Sequence, residues 1–184
     1  MKKLLTALFV TAFLFTACEG DQGPPGPQGP EGPEGGSVNV VGQTLEYEDV
    51  DFDYFADVNY HSTIIGLPDD VEILTSDAIL VYRLEVIEDD GEVYETWSMI
   101  PQNFFLDQGT IQYVYNHTDV DVELIIDGNF DLSNLDAGFT QDQVFRFVIV
   151  PSDFAETTGI DVANFNAVLN ALDLKEQDVQ NVQM

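Results

Sequence analysis

The sequence predicts a mainly β fold: an antiparallel, sandwich-like β domain with one or two C-terminal helices, preceded by two segments of a different character. Three observations carry this. Apolar residues recur at every second position in short runs between Tyr54 and Val150. Turn sequences such as Asp89-Asp90-Gly91 separate those runs, and the period changes to that of a helix only near Asp161.

Taken in order, the chain begins with Lys2 and Lys3 ahead of an apolar run from Leu4 to Leu14, the pattern of a bacterial export signal. The run is too short to span a bilayer, which takes about 20 apolar residues. Phe15-Thr16-Ala17-Cys18 then resembles the lipobox of bacterial lipoproteins, with Phe15 in place of the usual leucine. The resemblance implies cleavage after Ala17 and acylation of Cys18, the only cysteine in the chain. Each buried methylene contributes about 0.8 kcal/mol, and two or more acyl chains hold a protein stably on its membrane.

From Gly20 to Gly35 glycine stands at every third position, as in Gly23-Pro24-Pro25 and Gly29-Pro30-Glu31. This is the collagen pattern, in which only glycine fits at the axis of three wound polyproline II chains. With so few triplets the reading is a proline-stiffened single-stranded spacer of roughly 45 Å, and a trimer through the stalk is the less favoured alternative. The expected division is therefore a signal peptide over 1–17, the acylated cysteine and collagen-like stalk over 18–36, and an acidic β domain over 37–184.

Charge limits the partners. After the signal only Arg83, Arg146 and Lys175 face 34 acids, a balance of −31. Nucleic acid, whose affinity comes from Lys and Arg on phosphate, is excluded as a partner, and so is lying flat on anionic lipid. The acids read as a solvated surface.

Within the domain, Tyr54, Ala56, Val58, Tyr60, Ser62 and Ile64 alternate with polar residues and read as one half-buried strand. A second strand runs from Ala78 to Glu88 with Leu80, Tyr82, Leu84 and Val86 inward, then turns at Asp90-Gly91 into Glu92–Ile100. Pro101 ends that strand. Asp107-Gln108-Gly109 turns the chain into Thr110–His117. Val120, Val122, Leu124 and Ile126 follow on one face, and Gln143–Val150, apolar on both faces, reads as a central strand. Phe165, Val168, Leu169 and Leu172 fall on one stripe of a helix expected from Asp161, its capping residue.

Candidate sites are few. Asp49, Asp51 and Asp53 suggest calcium, but an EF-hand loop counted from Asp49 would need glycine and glutamate where Tyr54 and Tyr60 stand. Asp127, Asn129 and Asp131 fail the same test at Leu132 and Gly138. His61 and His117 are the only histidines and lack a spaced partner, so they read as surface or hydrogen-bonded residues. Ser62 beside His61 points to the opposite strand face. Arg83 and Arg146 are each expected to pair with a carboxylate, the alternative being a clamp on an acidic ligand. Tyr94, Trp97, Phe104, Phe105, Tyr113 and Tyr115 read as core, with stacking on sugars or a partner as the alternative.

The lipobox cysteine followed by acids, the Gly-Pro-x triplets and the acidic β domain together resemble the uncharacterised collagen-like-repeat lipoproteins of the Bacteroidota. Leu80-Val81-Tyr82-Arg83, Trp97 through Pro101 and Gln143 through Pro151 look like that group too. The resemblance implies a lipid-anchored protein of the outer membrane. Glu19 and Asp21 after the cysteine are similar to signals for its cell-surface face, with the periplasmic face as the alternative. Some relatives carry a flavoenzyme label, which the absence of Gly-x-Gly-x-x-Gly and of a redox cysteine pair does not support here. The expectation is a non-enzyme without cofactor, whose domain serves binding, adhesion or envelope structure toward a protein or glycan. A calcium- or glycan-binding uptake module is second, and a carboxylate-pair hydrolase third.

Overall fold

The computed structural model describes residues 42–71, 73–74 and 76–183; the signal peptide, Cys18 and the stalk lie outside them. Ten strands form two five-stranded sheets. In chain order they are β1 (Gln43–Val50), β2 (Asp53–Phe55), β3 (Tyr60–Gly66), β4 (Asp77–Asp89), β5 (Glu92–Met99), β6 (Gln102–Leu106), β7 (Gly109–His117), β8 (Asp121–Gly128), β9 (Gln143–Pro151) and β10 (Gln180–Val182). Three short helices, α1 (Ala137–Thr140), α2 (Phe154–Thr158) and α3 (Phe165–Ala171), and a 3-10 turn at Glu176–Asp178 complete them.

One sheet runs β10-β1-β9-β4-β5 and the other β2-β3-β8-β7-β6, giving the β-sandwich that the alternation predicts. Every pairing is antiparallel except β1 with β10. β9 is the middle strand of the first sheet, which explains its apolar residues on both faces. Phe145, Phe147 and Ile149 enter the core between the sheets, where Leu45, Tyr47, Val81, Ile111, Tyr113, Leu124 and Ile126 meet them. Val148 and Val150 point the other way, into a second apolar cluster with Tyr82, Phe165, Val168 and Leu169. The helical stripe therefore packs on the outer face of the sandwich. Tyr82 ties it down, its hydroxyl donating to the Val162 carbonyl at 2.5 Å.

The expected hairpins form where the turn chemistry asks for them. Asp89 pairs with Glu92, and Asp90 and Gly91 between them both take positive φ, 49° and 82°, as a tight turn matched to strand twist requires. Leu106 pairs with Gly109 across Asp107-Gln108. The short Gln43–Val50 segment, which sequence reasoning passed over, forms β1 against both β9 and β10.

Three expectations need correction. Tyr54 to Ile64 is a hairpin, not one strand: Ala56 to Asn59 turn the chain, with Asn59 at φ 55°. Beyond the turn His61 and Ile65 are buried while Ile64 is exposed, so the inward set lies one residue from the predicted one. On β4, Ile79, Val81 and Arg83 face the sandwich core, Leu80 and Tyr82 face the helices, and Val86 is exposed. The final helix starts at Phe165, capped by Asn164 onto the Ala167 amide, whereas Asp161 caps a separate turn through Ala163.

Asn59 holds the β2–β3 turn to a distant loop. Its amide donates to the Phe130 carbonyl at 2.8 Å, and its oxygen accepts from the Leu132 amide at 2.9 Å and the Tyr54 hydroxyl at 3.2 Å. Asn59→Ala removes these partners at a position of positive φ, so a loss of about 2 kcal/mol is expected. Urea unfolding checks this, and a loss no larger than that of an exposed control such as Asn116→Ala would refute it.

Candidate functional site

The most built polar environment surrounds Arg83. Period-two geometry puts it on the inner face of β4 behind Ile79 and Val81, and it is only 8% exposed. Its Nε and Nη2 donate to the Gln143 side-chain oxygen at 2.9 and 2.6 Å. Gln143 is fixed in turn by donating to the carbonyls of Gly138 and Gln141 at 3.1 and 2.5 Å. The guanidinium carbon lies 4.8 Å from the ring centre of Tyr113 and 5.3 Å from that of Phe104, within cation–π range.

The third nitrogen, Nη1, has Glu85 at 3.8 Å, a distance of charge attraction and not of a formed hydrogen bond. The Glu85 carboxylate instead accepts from Ser98 Oγ at 2.8 Å and Gln102 Nε2 at 2.7 Å. A cleft of about 390 Å³ opens here, lined by Arg83, Glu85, Ile87, Phe104, Asp142 and Val144 among others. It offers guanidinium donors, two carboxylate acceptors and apolar walls, a set suited to holding polar or cationic groups.

Arg146 occupies the opposite face of the same sheet. Glu46 stands directly across from it in the β1–β9 register, and its Oε2 accepts from Arg146 Nε at 2.6 Å. Arg146 Nη1 and Nη2 also donate to the Glu176 carboxylate. The guanidinium lies 3.9 Å from the Trp97 ring centre and 5.0 Å from that of Phe165. Both arginines thus meet a carboxylate, as expected. Arg146 does so on the middle strand beneath the helical layer.

The other candidates serve the fold. His61 Nε2 bonds the Leu132 carbonyl at 2.8 Å and its ring packs tilted against Tyr54; His117 is exposed at the end of β7. Asp51 accepts from the Asp142 amide at 3.0 Å. Asp127, Asn129 and Asp131 accept from Gly128, Thr110 and Ser133 amides respectively, and the last bond holds the Asp131 carboxyl below the usual range. Among the described residues no three His, Cys, Asp or Glu side chains converge as metal ligands. Of the aromatic stretch, Tyr113 and Phe104 pack between the sheets and Trp97 packs on Phe165 under the helical layer, whereas Tyr94, expected in the core, is 48% exposed and Phe105 85%, because they stand on the projecting ribbon and on an outer face. Sequence reasoning missed Gln143 as the partner of Arg83, and Glu46 and Glu176 as partners of Arg146; strand register pairs only Glu46 directly with Arg146, and Glu176 sits in the 3-10 turn, outside any strand.

Buried tyrosines bridge the layers. Tyr113 donates to the Phe139 carbonyl at 2.6 Å and Tyr115 to the Ile79 carbonyl at 2.7 Å. Burial pushes the phenols of Tyr47 and Tyr113 up to about 12, and raises those of Tyr82 and Tyr115. A phenol in the unfolded chain titrates near pH 10, so above that pH the unfolded chain binds fewer protons than the native one and stability falls as pH rises. The melting temperature is expected to drop steadily from pH 10 to 12, with a shallower drop in Tyr113→Phe relative to its own value at pH 9. A flat profile across that window would contradict it.

No family model, curated protein or solved structure matches this chain.

Proposed function

We propose that this chain is an exported lipoprotein, anchored to the outer membrane through acylated Cys18, whose β-sandwich is a non-enzymatic binding domain held off the lipid by the glycine-triplet spacer. The observation that carries the reading is the lone cysteine placed directly after Thr16-Ala17 behind a short apolar run. Two acids at Glu19 and Asp21 favour the cell-surface face. The Arg83 cleft supports binding, because its groups are fixed by one another and offer complementary donors and acceptors at low reorganisation cost.

The test is expression of the whole chain in a bacterium with lipoprotein processing. Detergent-phase partition is expected, together with an amino-terminal peptide starting at Cys18 and carrying diacylglyceryl and amide-linked acyl groups. Cys18→Ser is expected to leave an unprocessed precursor without acyl mass. A wild-type product in the aqueous phase with an unmodified thiol would overturn the anchor.

A further inference from the structure

β4 outruns the strand beside it. Its register with β9 ends at Arg83–Phe145, whereas its register with β5 continues to Asp89–Glu92. From Leu84 to Asp89 it therefore has one strand neighbour, and β5 is itself the outermost strand of its sheet. The projecting ribbon exposes apolar side chains: Val86 sits across from Glu95, Ile87 across from Tyr94 and Val93 across from Glu88, and all four are about half or more exposed. A two-stranded ribbon alone is marginal in water, and exposed apolar patches rimmed by polar groups mark interaction sites.

Two further features specify what fits. The unpaired edge of β4 borders the 390 Å³ cleft, whose lining includes Leu84, Glu85, Val86 and Ile87 from β4 and Asp142, Gln143 and Val144 from around the start of β9. Between Leu84 and Ser98 stand Glu85, Glu88, Asp89, Asp90, Glu92 and Glu95, with no Lys, Arg or His. Strand addition draws affinity from main-chain hydrogen bonds and specificity from alternate side chains. Here each face of the edge mixes apolar and acidic groups, Leu84, Val86 and Glu88 on one and Glu85, Ile87 and Asp89 on the other, so its complement is apolar and basic. A second copy of a chain with net charge −29 is repelled.

We propose that the Leu84–Asp89 edge of β4 receives an extended segment of a partner protein that carries both Lys or Arg and apolar residues. This rests on the binding reading of the domain and is independent of the anchor at Cys18.

The probe is a synthetic decapeptide alternating Lys and Val, titrated into the full-length chain. Trp97, the only tryptophan, lies opposite Leu84 at the ribbon base and reports binding by fluorescence. The expected result is saturable binding with slowed amide exchange confined to the ribbon and the cleft wall. Affinity is expected to fall at least tenfold when alternate peptide amides are N-methylated, when Glu alternates with Val, and in the Glu88→Lys/Glu95→Lys protein. These positions are exposed, so an unchanged melting curve separates lost binding from lost fold; Val86→Asn is the second variant and is expected to weaken binding as well. Absence of binding, equal affinity for the N-methylated peptide, or protection elsewhere would overturn the proposal. So would concentration-dependent dimerisation or vesicle binding that protects the same amides. Cys18→Ser is expected to bind the peptide as the wild type does, which keeps failure of the edge distinct from failure of the anchor.

Discussion

Arg146→Ala is expected to destabilise the protein by about 3–5 kcal/mol, the range for removing one partner of a buried ion pair. Arg146 is 5% exposed and the Glu46 side chain 12%, so deleting the guanidinium leaves a carboxylate with little water and no cation. The same change removes the group packed between Trp97 and Phe165, loosening the outer layer. Glu176 is expected to matter far less. Its side chain is 67% exposed, and Glu176→Gln should cost less than about 1 kcal/mol. Denaturant unfolding of both variants and of Arg146→Met/Glu46→Leu checks the account. The double variant, which removes both charges, should recover much of the loss, and an Arg146→Ala cost below that of Glu176→Gln would sink it.

The second large effect is expected at Tyr113. Its ring meets Phe52, Phe104 and Phe145 at centroid distances of 6.0, 5.7 and 6.3 Å, and it is fully buried between the sheets. Tyr113→Ala should cost about 3–5 kcal/mol through lost burial and the cavity left behind, and it uncovers one face of Arg83. Tyr113→Phe keeps the ring and loses the bond to Phe139, for about 1 kcal/mol. Equal costs for the two would mean that packing is not what holds this centre.

These effects also show which parts of the molecule were legible before its structure. β7, β8 and β9 could be read because their apolar residues keep strict period or fill both faces over eight or nine positions. β1 was obscured because only Leu45 and Tyr47 mark its alternation before Asp49 takes φ 56° and the register shifts. In β3 the adjacent Ile64 and Ile65 satisfy either face, and a one-residue slip exchanges the faces completely. The helix start was ambiguous because Asp161 and Asn164 are both good caps, and each caps something. The Arg83 and Arg146 environments were hidden for a different reason: Gln143 lies 60 residues from Arg83 and Glu46 100 residues from Arg146. No local spacing encodes a contact made by strand register.

Placing β1 between β9 and β10 sets a timetable for folding. The earliest strand has no neighbour in its sheet until the last strands have been synthesised, and contacts this remote in sequence form slowly. That sheet is complete only once the residues around Val182 have arrived.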